Sequence, residues 1–167
     1  DAGASAVTVE IKGGGISFIR ITDNGSGIAR DQVPLAFLRH ATSKIRQVED
    51  LAFISSLGFR GEALSSIAAV SQVELITKPH EDLMGTRYVI EGGREQGLED
   101  VGAPDGTTFL VRNLFYNTPA RAKFLKTPAT ESGYISSFIE QLAMTHPNIS
   151  FNYIQDGKPK LPPSGND

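Results

Sequence analysis

Residues 6–12 alternate without a break: Val7, Val9 and Ile11 fall on one side, and Thr8, Glu10 and Lys12 on the other. A period of two sustained over seven residues is a half-buried strand. Gly13-Gly14-Gly15 follows at once, and the next run carries Ile16, Phe18, Ile19 and Ile21. Two apolar runs joined by glycines read as an antiparallel hairpin. Such a hairpin commits the chain to a sheet with one face to be covered. Further strands are expected at residues 72–78, 86–91 and 107–113, the last with Phe109 and Val111 alternating with polar or exposed positions, and at Ile149, Phe151 and Tyr153.

The cover is supplied by helices. Asp31 is placed to cap the first, with Pro34 tolerated in its first turn and Val33, Phe37 and Leu38 facing inward. A second opens at Gly58-Phe59-Arg60-Gly61-Glu62 and buries Leu64, Ile67 and Ala68. The clearest amphipathic pattern is at residues 130–146, where Ile135, Phe138, Ile139, Leu142 and Ala143 recur at helical spacing. Asn117-Thr118-Pro119 starts a basic helical turn with Arg121, Lys123 and Lys126. Residues 41–59 are polar and weakly periodic, which predicts a long mobile segment with a short helix near residues 50–54. Residues 94–102 carry no clear pattern, and Asp156-Gly157 turns towards a strand that has barely begun. The order is hairpin, helix, loop, helix, three strands, helix, strand. It predicts an α+β class fold, a two-layer α/β sandwich with a mixed, mostly antiparallel sheet and helices on one face.

With 167 residues, 40% of them hydrophobic, the chain suits one globular unit, expected over residues 1–157 with 158–167 as a tail or the start of a strand. A net charge of -3 gives no electrostatic footprint for tight duplex binding by this stretch alone. There are no cysteines, hence no disulfide frame and no thiolate metal site. No apolar run approaches membrane-spanning length, so no membrane partner is expected.

Chemistry concentrates at Thr22-Asp23-Asn24-Gly25-Ser26-Gly27-Ile28. An acid delivered rigidly by a strand end can accept a hydrogen bond from an exocyclic amine. Gly25 and Gly27 lack Cβ atoms, so a flat ring can lie against backbone. Taken alone, the stretch reads more readily as a surface turn, because Asn-Gly is the strongest hairpin signal. Gly58–Glu62 opens a helix with glycines, which leaves bare amides at the positive end of the dipole, the physics of a phosphate site. No Gly-Lys-Ser/Thr follows, so it is not a P-loop, and glycine before a helix is more often a plain connection.

Together these strings resemble the MutL-type DNA mismatch repair proteins, members of the GHKL (Bergerat-fold) ATPase superfamily that also holds gyrase, the heat-shock chaperone and histidine kinases. Asp1-Ala2-Gly3-Ala4 resembles the end of the family's first motif, and Asp23–Ile28 its second. Arg39-His40-Ala41-Thr42-Ser43-Lys44, Gly58-Phe59-Arg60-Gly61-Glu62-Ala63-Leu64 and Phe115-Tyr116-Asn117-Thr118-Pro119-Ala120-Arg121 resemble the repair branch specifically. The resemblance implies that Asp23 accepts from the adenine amino group, helped by Thr107, and that Gly25 and Gly27 let the nucleotide lie close. Thr42, Ser43 and Lys44 would sit in a lid over the phosphates. Amides near Gly58, Phe59, Arg60, Gly61, Glu62, Ala63 and Leu64 would hold phosphate oxygens, with Arg60 and Glu62 reading slightly more readily as a structural ion pair than as ligand contacts. The Asn117–Arg121 loop reads either as a structural corner or as a partner surface.

In that family the general base is a Glu and the metal ligand an Asn, both on a helix before the position of Asp1. The chain is therefore expected to hold neither a catalytic residue nor a metal ligand, and to hydrolyse ATP weakly or not at all. The implied cofactors are ATP and Mg2+, and the implied function is an ATP-driven conformational switch linking mismatch recognition to strand removal. The implied partners are a second N-terminal copy, a mismatch-recognition protein and DNA through the full-length protein. The location would be cytoplasmic or at the nucleoid, or nuclear in a eukaryote. The alternatives are a non-catalytic protein-interaction module and another branch of the same ATPase superfamily.

Overall fold

In the computed structural model, residues 4–37 and 61–160 are described, residues 61–63 and 66 for their backbone alone. The segment 41–59, Leu38, Thr42, Ser43, Lys44, Gly58, Phe59 and Arg60 lie outside them. Eight strands form one sheet: β1 (Ala6–Lys12), β2 (Phe18–Asp23), β3 (Gln72–Lys78), β4 (Gly85–Glu91), β5 (Arg94–Val101), β6 (Gly106–Arg112), β7 (Ser150–Gln155) and β8 (Lys158–Lys160). Their order is β5-β4-β3-β6-β2-β1-β7-β8. Every pairing is antiparallel except β1 with β7. The helices are α1 (Val33–Ala36), α2 (Gly61–Ala69), α3 (Pro119–Ala122) and α4 (Pro128–Thr145).

The alternation in β1 dictates the layering. Val9 is level with Tyr153, Ile21, Phe109, Leu75 and Tyr88 across six strands, and all of these are buried. That face packs against Val33 and Phe37, Leu64 and Ile67 of α2, and Ile135, Ile139 and Leu142 of α4, which form a single core with it. The Phe37 and Tyr88 rings sit 5.2 Å apart. The expected two layers, with helices on one face, are the layers observed. The other face carries charge held in pairs: Arg20 with Glu10, and Glu74 between Arg87 and Arg112. Leu110, expected at an exposed position, is buried there between the register positions of Arg20 and Glu74.

Two expectations are corrected. Asp31 caps no helix: it lies in a 3-10 turn, Arg30–Gln32, and Gln32 precedes α1 without a side-chain cap bond. Pro34 in the first turn of α1 has no N–H to satisfy, which lessens the need for a cap. The middle of the chain holds four strands, not three, because residues 94–101 form β5. As an edge strand with most positions exposed, β5 buries no alternating face, so no period of two marks it. Lys158–Lys160 forms β8 and pairs with β7.

Candidate functional site

Along the helix-covered face, the inward positions of β3, β4, β6 and β2 are apolar until the last row. There the register brings Asp23 opposite Thr107, Thr107 opposite Thr77, and Thr77 opposite Thr86. The three threonines are buried. A row of hydroxyls and one carboxyl has replaced the valines and leucines that end such strands elsewhere. The polar atoms are wired together. Thr77 Oγ1 lies 2.8 Å from Thr107 Oγ1, accepts from the Ile28 N–H at 2.9 Å, and is 3.2 Å from the Gly106 carbonyl. Asp23 Oδ1 accepts from the Gly25 N–H at 2.8 Å. Burial pushes the Asp23 carboxyl up from its ordinary range, and the Gly25 and Thr107 N–H groups only partly offset this. A half-buried carboxylate that would rather be paired is a strong acceptor for an N–H donor.

The stretch after Asp23 is not a hairpin turn, since β2 pairs with β1 and β6 and the chain leaves towards α1. Asn24 turns back instead, its Oδ1 accepting from the Ser5 and Ala6 N–H groups at 2.8 and 3.0 Å. Gly27 has φ +77°, and a Cβ there would lie 2.4 Å from the Lys78 carbonyl oxygen. Its glycine requirement is therefore met within the protein, by backbone packed on backbone. Gly106 is alike, with φ +112° and a Cβ position 2.2 Å from the Asp23 carbonyl. Gly25 is buried in the same turn. Lys78 ties the end of β3 to the start of β6 through Asp105, at 2.7 Å. The floor around Asp23 is thus rigid.

Two residues separate α2 from β3, so the helix runs back over the strand it covers. Nine residues make a helix about 13 Å long. Its far end is capped throughout. Ser71 Oγ donates to the Ile67 carbonyl at 2.7 Å, the Gly93 N–H to Ala68 at 2.8 Å, Asn117 Nδ2 to Ala69 at 3.0 Å, and the Phe115 N–H to Val70 at 2.7 Å. Phe115 holds φ +65° to make its bond. Leu64 packs its side chain into the core, which leaves only its amide for other work. Among the described residues, no group of three or more His, Cys, Asp or Glu side chains is placed to hold a metal ion, and no helix is long and apolar enough to cross a membrane.

Sequence reasoning singled out Asp23, Gly25, Gly27 and Thr107, and the structure brings all four to one sheet end. It missed Thr77 and Thr86. The signal was available: both stand where the β3 and β4 alternation calls for an apolar residue.

No protein-family model matches the chain. It is 66% identical over 166 residues to the DNA mismatch repair protein MutL of Agathobacter rectalis, which covers 99% of this chain and 26% of that protein. It is 51% identical over 166 residues to MutL of Caldanaerobacter subterraneus, covering 99% of this chain and 28% of that one. The chain thus spans about a quarter of the length of these relatives. Among solved structures it superposes on the Aquifex aeolicus MutL ATPase domain complexed with ADP. The TM-score is 0.77 and the identity 30%, over 100% of this chain and 59% of that one. A mixed eight-stranded sheet with helices on one face, matching that domain, places the chain in the α+β ATPase fold of the GHKL superfamily. Within that class, the chain belongs to the MutL-type DNA mismatch repair family, as a stretch of its ATPase domain.

Proposed function

We propose that this stretch binds ATP and belongs to an ATP-driven switch in DNA mismatch repair. The observation that carries the reading is the polar row at the sheet end, where a half-buried carboxyl stands beside a hydroxyl on an otherwise apolar face. Such a pair suits the amine-bearing edge of an adenine. The Aquifex aeolicus ATPase domain on which the chain superposes holds ADP, which supports the reading.

In this reading Asp23 accepts from the base amine, Thr107 sits beside it, and Gly25 and Gly27 shape the turn that supports the ring. The amides opening α2 at Gly61, Glu62, Ala63 and Leu64, with Gly58, Phe59 and Arg60 before them, take phosphate oxygens. Thr42, Ser43 and Lys44, outside the described residues, take part in holding the phosphates. Mg2+ enters with the triphosphate, as it does where phosphates supply its ligands. Binding brings two N-terminal regions together in the full-length protein, hydrolysis releases them, and the cycle couples a mismatch-recognition protein to strand removal on DNA.

The test is equilibrium binding of a non-hydrolysable ATP analogue to the full-length protein. Asp23→Asn replaces an acceptor-only carboxylate by a group that also donates. It is expected to weaken binding about ten- to a hundredfold, the range for a lost hydrogen bond to a charged group. Unchanged affinity in that variant would remove Asp23 from the site.

A further inference from the structure

Thr77 has one proton and three polar neighbours. The Ile28 N–H can only donate, so Thr77 accepts it. The Gly106 carbonyl can only accept, and the Thr107 hydroxyl can do either. Of the two candidates for the Thr77 proton, Thr107 at 2.8 Å is nearer than Gly106 at 3.2 Å. If Thr77 donates to Thr107, the proton of Thr107 is left to point elsewhere, onto whatever lies beside Asp23. The same oxygen that sets this direction also holds the Ile28 amide, and with it the far end of the turn that begins at Asp23. Elsewhere the turn is held by backbone packed on backbone at Gly27 and Gly106 and, on its far side from Thr77, by the Asn24 side chain on the Ser5 and Ala6 N–H groups.

We propose that Thr77 is the positioning residue of this site: its hydroxyl fixes the turn from Asp23 to Ile28 and orients Thr107 as a donor. The Asp23–Thr107 pair then reads a base edge that offers an amine next to a ring-nitrogen acceptor. Adenine presents that edge. Guanine presents a carbonyl and a ring N–H in the same places and is refused, because acceptor would meet acceptor. This rests on the nucleotide reading above and adds to it a residue and a direction of hydrogen bonding.

The experiment compares adenine and guanine triphosphate analogues on the full-length protein, unaltered and as Thr77→Val, Thr77→Ser and Asp23→Asn. Thr77→Val keeps the shape and removes the hydroxyl. It is expected to lose about tenfold or more in affinity for the adenine analogue and to narrow the adenine-over-guanine ratio. Thr77→Ser restores the hydroxyl and is expected to recover both, a recovery that a packing role for the methyl group would not give. Amide exchange at Ile28 provides a second reading: it is expected to be faster in Thr77→Val and restored in Thr77→Ser. Should Thr77→Val keep the unaltered affinity and base ratio while Asp23→Asn loses them, Thr77 has no such role and the nucleotide site stands. Should Thr77→Ser behave as Thr77→Val, the hydroxyl is not the cause and the inference falls. Should the unaltered protein bind neither analogue, the nucleotide reading itself falls, and this inference with it.

Discussion

Asn117 donates its side-chain amide to the carbonyl of Ala69, closing the C-terminal end of α2 from a loop 48 residues away in the chain. With Phe115, Gly93 and Ser71 it gives each carbonyl from Ile67 to Val70 a donor. The basic turn that follows is thereby anchored by that helix. In this respect Asn117 acts as a structural corner.

Asn117→Ala is expected to lower stability by about 1–2 kcal/mol, since it orphans a helix-end carbonyl. A urea midpoint shift with unchanged slope would register it. Asn117→Asp, which keeps an acceptor and loses the donor, is expected to cost at least as much.

Asp23 carries a pH signature. Its folded pKa is raised above the ordinary 3.8, so the folded state holds the proton more tightly than the unfolded chain. The favourable contribution is complete below the unfolded value and is lost as pH rises through the folded one. Asp23→Asn is therefore expected to be more stable than the unaltered chain near neutrality, with the difference vanishing below about pH 4. Thermal midpoints in the absence of nucleotide, taken across that range, measure it. A difference that grows on acidification contradicts the assignment.

Gly27→Ala places a methyl group 2.4 Å from the Lys78 carbonyl oxygen at a φ of +77°. Both the clash and the backbone conformation oppose it. A loss of about 2 kcal/mol or more is expected in denaturant unfolding. Gly157→Ala makes a useful contrast, because its φ is +83° but nothing lies near its Cβ position. It is expected to cost about 1 kcal/mol, the conformational part alone.

Glu74 behaves in the opposite sense to Asp23. Burial pushes its carboxyl up, but hydrogen bonds and charge from Arg87 and Arg112 outweigh it and hold the group low. Its stabilisation is present above the ordinary Glu value and is lost as pH falls through the folded one. All three side chains are partly exposed, so Glu74→Gln is expected to cost about 1 kcal/mol or less at neutral pH and nothing in acid. Unfolding midpoints at two pH values decide it.

Much of this was legible in the sequence because one-sided burial writes itself as alternation. Val7, Val9 and Ile11 announced β1, and Ile135, Ile139 and Leu142 announced α4, since each lies on a face that must be dry. The edge strand β5 was silent for the converse reason: with no dry face, its composition is free. Asp31 misled because a capping residue type stood before a helix whose proline had already removed a donor. At the site, Asp23 was visible through its glycines, while Thr77 was not. A threonine at a strand end is ordinary, and only the register of three strands turns three such residues into a row.

Strand order has a kinetic consequence. Asp23, Thr77 and Thr107 are neighbours across β2, β6 and β3, yet 54 and 30 positions separate them in turn along the chain. Ala6 meets Ser150. Closing such distant ends is slow, because the entropy of each large loop is spent before its contacts form. During synthesis the first hairpin must wait with both flanks bare, the β2 side until β6 emerges and the β1 side until β7 does. The hydroxyl row is assembled only when β6 slots between β2 and β3, so a ligand of this site can stabilise the finished sheet but has nothing to hold in any half-built one.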